Sequence, residues 1–217
     1  MATTELQLRA QMCEIGRRLW QRGLVGAAEG NLSVRLGPRS LLCTPTGMSK
    51  GHLKPNDLVV IDLQGQPSRE ESRMPSSEIK LHLKIYAKRP DCVAVIHAHP
   101  PTATGFALAG EEIPDNLLPE AAMVLGSVAT APFAMPGTQE VPDSIDPLVE
   151  DHKTILLSHH GAVVMGLDLE DAYNRMETLE RIARIVLTAR LLGDPKPIPA
   201  KAFDELLKTS LTGRLER

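Results

Sequence analysis

Two short apolar runs leave this chain of 217 residues few choices of fold. VAVIHAH, residues 93–99, and TILLSHHGAVVMG, residues 154–166, are rich in β-branched residues. The first reads as one buried strand, the second as two strands separated by the polar SHHG and Gly161. Both runs carry two histidines where the apolar part stops, which strand packing does not call for. Residues two apart on a strand share a face, so His97 and His99 would stand about 7 Å apart at their Cα atoms, close enough for two imidazoles to reach one metal ion.

The surrounding sequence fits a single α/β domain over residues 1–217, with 199–217 as an amphipathic C-terminal tail. An N-terminal amphipathic helix carries Leu6, Leu8, Met12, Ile15, Leu19 and Trp20 at helical spacing, with Thr3 or Thr4 as its cap and Gly23 beyond its end. NLSVRL and SLLCTP read as two strands around a turn, LVVIDLQG as a third, and VATAPFA as a short strand. In MPSSEIKLHLKIYAKRP a helix is expected, capped by a serine, with Glu78 in its first turn and Leu81, Ile85 and Tyr86 on its apolar stripe. DLEDAYNRMETLERIARIVLTARLLG is a long helix capped by Asp168, with Ala172, Met176, Leu179, Ala183 and Val186 facing inward.

Composition removes several functional classes. The chain is 42% hydrophobic and 24% charged with net charge −3, so it offers no broad basic surface for nucleic acid or anionic lipid. Its aromatic content of 3% is too low for base-stacking platforms. No apolar run approaches the ~20 residues that span a bilayer, and MATTELQLRA lacks the order of a signal peptide, so a cytoplasmic location is expected. Cys13, Cys43 and Cys92 lack metal-type spacing and read as reduced, buried thiols.

Three neutral imidazoles with one position left open is a common catalytic zinc arrangement, so a third ligand is sought near His97 and His99. SHHG supplies His159 and His160, between which alternation does not choose. Glu78, at a helix start between the two clusters in sequence, adds a carboxylate. Ser76 and Ser77 beside it offer hydroxyls and backbone N–H groups where a phosphate can sit. EGNLS, with Gly30 and Asn31, and CTPTG, with Thr46 and Gly47, are polar turns able to complete such a cradle. None has the form of a nucleotide P-loop. His82 reads as a helix-face residue, His52 and His152 as surface residues.

EGNLSVR, TPTG, PSSE, HAHP, APFAMPGT, HHGAVVMG and DLEDAYNRMETLE, in this order from about residue 6 to about residue 192, resemble the class II aldolase/adducin family. The resemblance implies a three-layer α-β-α fold on a central, mostly antiparallel sheet, and a homotetramer with active sites between subunits. It implies one zinc per subunit held by His97, His99 and His160, with His159 only a neighbour. Glu78 matches a glutamate that binds zinc in the resting site and becomes the general acid/base when substrate displaces it. Asn31, Thr46, Gly47, Ser76 and Ser77 match phosphate-binding positions. The implied reaction is reversible cleavage of a ketose 1-phosphate, such as L-fuculose 1-phosphate, to dihydroxyacetone phosphate and an aldehyde.

The chain departs from the family's aldolases in one respect. Tyrosines near their site, one close to the C-terminus, help to protonate the leaving group, whereas this chain has only Tyr86 and Tyr173, in other segments. Glu120, in LLPEAAMVLG, is the substitute candidate for second acid/base. The alternatives on the same scaffold are epimerisation, dehydration or decarboxylation of a sugar phosphate. Glutamate at position 78 disfavours the epimerases, which tend to carry aspartate there. A non-catalytic scaffold of the adducin kind would not keep all three histidines. An amidohydrolase would need a longer barrel with its His-x-His on the first strand.

Overall fold

The computed structural model describes residues 4–68 and 73–215. Thr3, the alternative cap, and the two ends of the domain lie outside the described residues. Seven strands form one sheet: β1 (Asn31–Gly37), β2 (Ser40–Cys43), β3 (Val59–Asp62), β4 (Ala94–Ala98), β5 (Val128–Ala131), β6 (Thr154–Leu157) and β7 (Gly161–Gly166). Their order is β3-β2-β1-β4-β7-β6-β5, and only β5 and β6 run parallel. The mostly antiparallel sheet is therefore as expected, with β4 at its centre.

Strand alternation divides the interior in two. Leu32, Val34, Leu42, Val60, Ala94, Ile96, Leu156, Ala162 and Val164 pack on one face with α1 (Glu5–Gln21), α3 (Pro101–Ala109) and α5 (Leu169–Leu192). Leu41, Cys43, Val59, Ile61, Val95, Ile155, Val163 and Met165 pack on the other with α2 (Ile79–Lys88) and α4 (Glu140–Ile145). Both sheet faces are covered, which is why the central strands are almost wholly apolar. The result is the three-layer α-β-α arrangement. The short α4, interrupted by Pro142, carries too little helical period to stand out in the sequence.

Helix ends match their sequence signals in two cases and not in a third. Thr4 and Gln7 form a reciprocal capping box on α1, and the Asp168 carboxylate accepts from Asp171 N at 2.7 Å on α5. The inward face of α5 is as expected, with Ala172, Met176, Leu179, Ala183 and Val186 all buried. In α2, however, the helix begins at Ile79; Glu78 itself is the N-cap residue and no serine side chain caps the helix. Pro75 pairs instead with Pro45 in an isolated bridge, which keeps Ser76 and Ser77 in extended and turn backbone. The tail forms α6 (Ala200–Leu215).

The buried Glu180 of α5 accepts backbone N–H groups of Thr102 and Ala103 and the Thr102 hydroxyl. An acid at the first turn of α3 satisfies otherwise orphaned donors and complements the helix dipole. The contact lies just after β4, whose last residue, Ala98, is one beyond His97.

Candidate metal centre

His97 is the fourth residue of β4 and shares its face with Val95, so it points toward the layer containing α2. Its ring is fully buried, and its Nδ1 lies 3.0 Å from the Ala162 carbonyl on β7. A carbonyl only accepts, so Nδ1 carries the proton and Nε2 presents a bare lone pair. His99, just past the strand, has Nδ1 3.2 Å from Glu29 Oε2. The same reasoning leaves its Nε2 unprotonated. The two Nε2 atoms stand 3.1 Å apart.

His160 completes the group. The three imidazoles each contribute one nitrogen within 4.8 Å of the others, and their ring centroids are separated by 4.7 to 5.0 Å. Lone pairs aimed at each other repel unless a cation lies between them. Two nitrogens on tetrahedral zinc lie about 3.3 Å apart, close to the spacing found here. The donor set therefore fits a divalent metal, and the carboxylate of Glu29 behind His99 is the support such ligands commonly have. His159 is turned away: with φ 57° it sits in left-handed backbone, and its ring stands edge-on to Phe133.

Glu78 closes the other side. Its Oε1 is 3.2 Å from His160 Nε2 and its Oε2 is 3.5 Å from His97 Nε2. Burial raises its pKa, but hydrogen bonds from His160 and Asn31 and the neighbouring imidazoles outweigh that, leaving the carboxyl pulled down to about 2. Burial pushes His97 down to about 3 and lowers His99 as well, so both rings are neutral donors at neutral pH. Glu78 touches two of the three histidines without joining the mutually converging set.

The remaining predicted residues fall in two places. Thr46 N donates to Met74 O and Ser76 N to Thr44 O, which lays TPTG against PSSE, and the Ser76 hydroxyl accepts from Glu78 N at 3.3 Å. Lys50, 2% exposed, donates from Nζ to Ala28 O at 2.7 Å and to Met48 O at 2.6 Å, binding the EGN turn to the TPTG turn. Its pKa is lowered to about 8 by burial, partly offset by Glu78 and Glu29. Asn31 is engaged differently, since its amide donates to Glu78 Oε2 at 2.8 Å. Glu120 is exposed at the start of a π-type turn, Ala121–Leu125, and among the described residues no hydrogen bond or ion pair joins it to the histidines.

The parts that two residues play here escaped the reading of the sequence. Glu29 was detectable only through strand register: Asn31 faces His97, so two residues back on one strand and two forward on the other set Glu29 opposite His99. Gly161 is the second. A Cβ there would stand 2.5 Å from Ala98 O and 2.6 Å from His99 Cδ2. Gly161→Ala is expected to push the His99 ring out of line, costing about 1–3 kcal/mol of stability and weakening metal binding by about 10-fold or more. Thermal unfolding and a metal titration check this, and unchanged metal affinity would contradict it.

The family model for the class II aldolase and adducin N-terminal domain matches residues 10–187. The chain belongs to the class II aldolase/adducin family. Its relatives in the family include the 3-oxo-tetronate 4-phosphate decarboxylase of Haemophilus influenzae, 34% identical over 189 residues that cover 85% of this chain and 89% of that protein. The L-fuculose phosphate aldolase of Escherichia coli is 32% identical, covering 88% of each chain. Among solved structures, YgbL of Klebsiella pneumoniae, described as an aldolase/epimerase/decarboxylase, superposes with a TM-score of 0.86 at 34% identity over 94% of this chain and all of that one. No described helix is long and apolar enough to cross a membrane.

Proposed function

We propose that this chain is a zinc-dependent decarboxylase of a phosphorylated 3-oxo sugar acid, releasing CO2 and dihydroxyacetone phosphate. The observation that carries the choice is the fate of the two tyrosines. Tyr86 is 4% exposed with its hydroxyl against Ser33, and Tyr173 is 1% exposed beneath the Arg18 guanidinium, 3.8 Å from its ring centroid. Neither reaches the histidine cluster. Among the described residues Glu78 is the carboxylate that meets both His97 and His160, while Glu29 stands behind His99, and decarboxylation needs one proton carrier.

Aldol cleavage and this decarboxylation break a bond to the same carbon. In cleavage of a ketose 1-phosphate the departing piece is an aldehyde, whose hydroxyl proton must be removed by a second group. In a 2-hydroxy-3-oxo acid 4-phosphate the departing piece is CO2, which leaves from a carboxylate already ionised at neutral pH. When bound, the metal supplies Lewis-acid polarisation of the substrate's oxo group. His97, His99 and His160 would hold that ion as neutral ligands. Glu78 then takes a proton from water and delivers it to the carbon left electron-rich by the loss of CO2. The two turns that carry Thr46, Gly47, Ser76 and Ser77, the first of them held by the Lys50 ammonium, fit the phosphate end and orient the substrate.

The aldolase reading remains the alternative, supported by the relatives that bear that name, with Glu120 as its second proton carrier. Incubation with a 3-oxo tetronate 4-phosphate and with a panel of ketose 1-phosphates separates the two. The expected result is CO2 and dihydroxyacetone phosphate in equal amounts from the oxo acid, with far slower release from the ketose phosphates. Dihydroxyacetone phosphate from a ketose phosphate without any turnover of the oxo acid would favour the aldolase. A homotetramer with sites between subunits belongs to the same proposal.

A further inference from the structure

A row of polar groups runs from the site into the layer between the sheet and α2. Asn31 and Ser33 lie two apart on β1 and share one face; Glu78, His82 and Tyr86 lie four apart along α2 and its N-cap. His82 is fully buried, with Nε2 2.6 Å from Asn31 Oδ1 and Nδ1 2.6 Å from Ser33 Oγ. Ser33 Oγ is 2.9 Å from the Tyr86 hydroxyl. Proton transfer by Glu78, the reading above, does not by itself account for a fully buried histidine one helical turn further into the core.

From Glu78 to Ser33 the donors along this row have one consistent order. An ionised Glu78 accepts, so the Asn31 group 2.8 Å from Oε2 is the amide Nδ2. Asn31 then presents Oδ1 to His82, so His82 Nε2 must carry the proton. That leaves Nδ1 bare, and Ser33 donates to it; the Tyr86 hydroxyl closes the row between Ser33 Oγ at 2.9 Å and the Val93 carbonyl at 3.4 Å. Reversing any link sets two acceptors or two donors against each other in a buried place, at about 1–3 kcal/mol per unsatisfied group.

We propose that His82 is a positioning residue for the proton carrier: through Asn31 it holds an amide N–H against Glu78 Oε2 and so fixes the carboxylate over the three histidines. This rests on Glu78 acting in the reaction. His82 itself touches neither substrate nor metal ligands. Burial lowers its pKa to about 4, so the ring keeps a single proton and a single orientation through the working pH range.

The test joins kinetics to a spectroscopic signature. In the zinc-loaded protein labelled with 15N-histidine, His82 should show a hydrogen-bonded Nε2–H and an unprotonated Nδ1, and Asn31→Ala should shift that Nε2–H resonance. His82→Phe should lower kcat by about 10- to 100-fold while KM changes less than about 3-fold and zinc stays at one per chain. His82→Gln, which keeps a donor toward Asn31, should recover most of the loss. In a Glu78→Gln background, His82→Phe should cost no further kcat. An Nδ1–H tautomer, an unchanged kcat in His82→Phe, loss of zinc, or additive effects in the double variant would each overturn the proposal. If the protein does not decarboxylate the oxo acid, the function reading fails while the tautomer still decides this one, and the kinetic arms move to the substrate that the panel does turn over.

His82 also couples stability to pH. Its imidazole binds a proton more readily in the unfolded chain, at pH about 6.5, than in the folded one, at about 4. Its contribution is therefore complete above pH 6.5 and is lost as pH falls toward 4. Urea unfolding of the natural protein and of His82→Gln should show their stability difference shrinking between pH 7 and pH 4. A difference independent of pH would contradict it.

Discussion

His97→Ala should yield a folded protein that purifies with little or no zinc and has lost essentially all turnover. His97 contributes the one imidazole of the three that is fully buried and locked by a backbone carbonyl, that of Ala162 at 3.0 Å. Structural zinc sites with four ligands are worth about 10–16 kcal/mol, or roughly 3 kcal/mol per ligand, so loss of one weakens affinity by on the order of 10²-fold. The remaining pair, His99 and His160, lacks the third corner that closes the site. Elemental analysis after dialysis, with kcat/KM measured in parallel, decides the matter. A variant that keeps one zinc per chain and its activity would remove His97 from the ligand set. His99→Ala provides a control, because that ring sits past the end of β4 and its removal opens less of the core; zinc should be weakened there too, with a smaller change in melting temperature.

The sequence revealed those parts of the fold whose signal is local. β4, β6 and β7 announce themselves because strands covered on both faces are nearly all apolar, and α5 because Asp168 and Gly193 bracket a clear helical stripe. The placement of residues in turns was not readable. His159 and His160 both lie in the turn between β6 and β7, where the two-residue alternation does not apply; the left-handed backbone at His159 decides which ring faces His97. Family resemblance, not spacing, had singled out His160. The α2 cap was misplaced because Pro75 engages Pro45 across the two turns, a long-range contact that overrides the serine signal. Glu29 and the buried role of His82 depend on strand register and on which face of α2 meets β1, information that no single segment carries.

Glu78→Gln should separate proton transfer from metal binding. Glu78 lies outside the three converging nitrogens, so zinc content is expected to stay near one per chain. The amide is isosteric and its oxygen can still meet a donor, so substrate affinity should change by only a few-fold. It cannot carry a proton, and general acid–base groups typically contribute about 10²- to 10⁴-fold, which is the expected fall in kcat. Stereochemistry gives a second reading of the same event. In D2O the natural protein should deliver deuterium to one face of the carbon that loses CO2, because Glu78 is fixed on one side by His160 and Asn31. In the variant the residual reaction takes its proton from water on either side, so the label should be scrambled. A variant that keeps more than about a tenth of kcat with one-sided labelling would show that another group carries the proton. Glu120 would then be the next residue to replace, and the aldolase alternative, which needs a second proton carrier, would gain the support that the buried tyrosines now withhold from it.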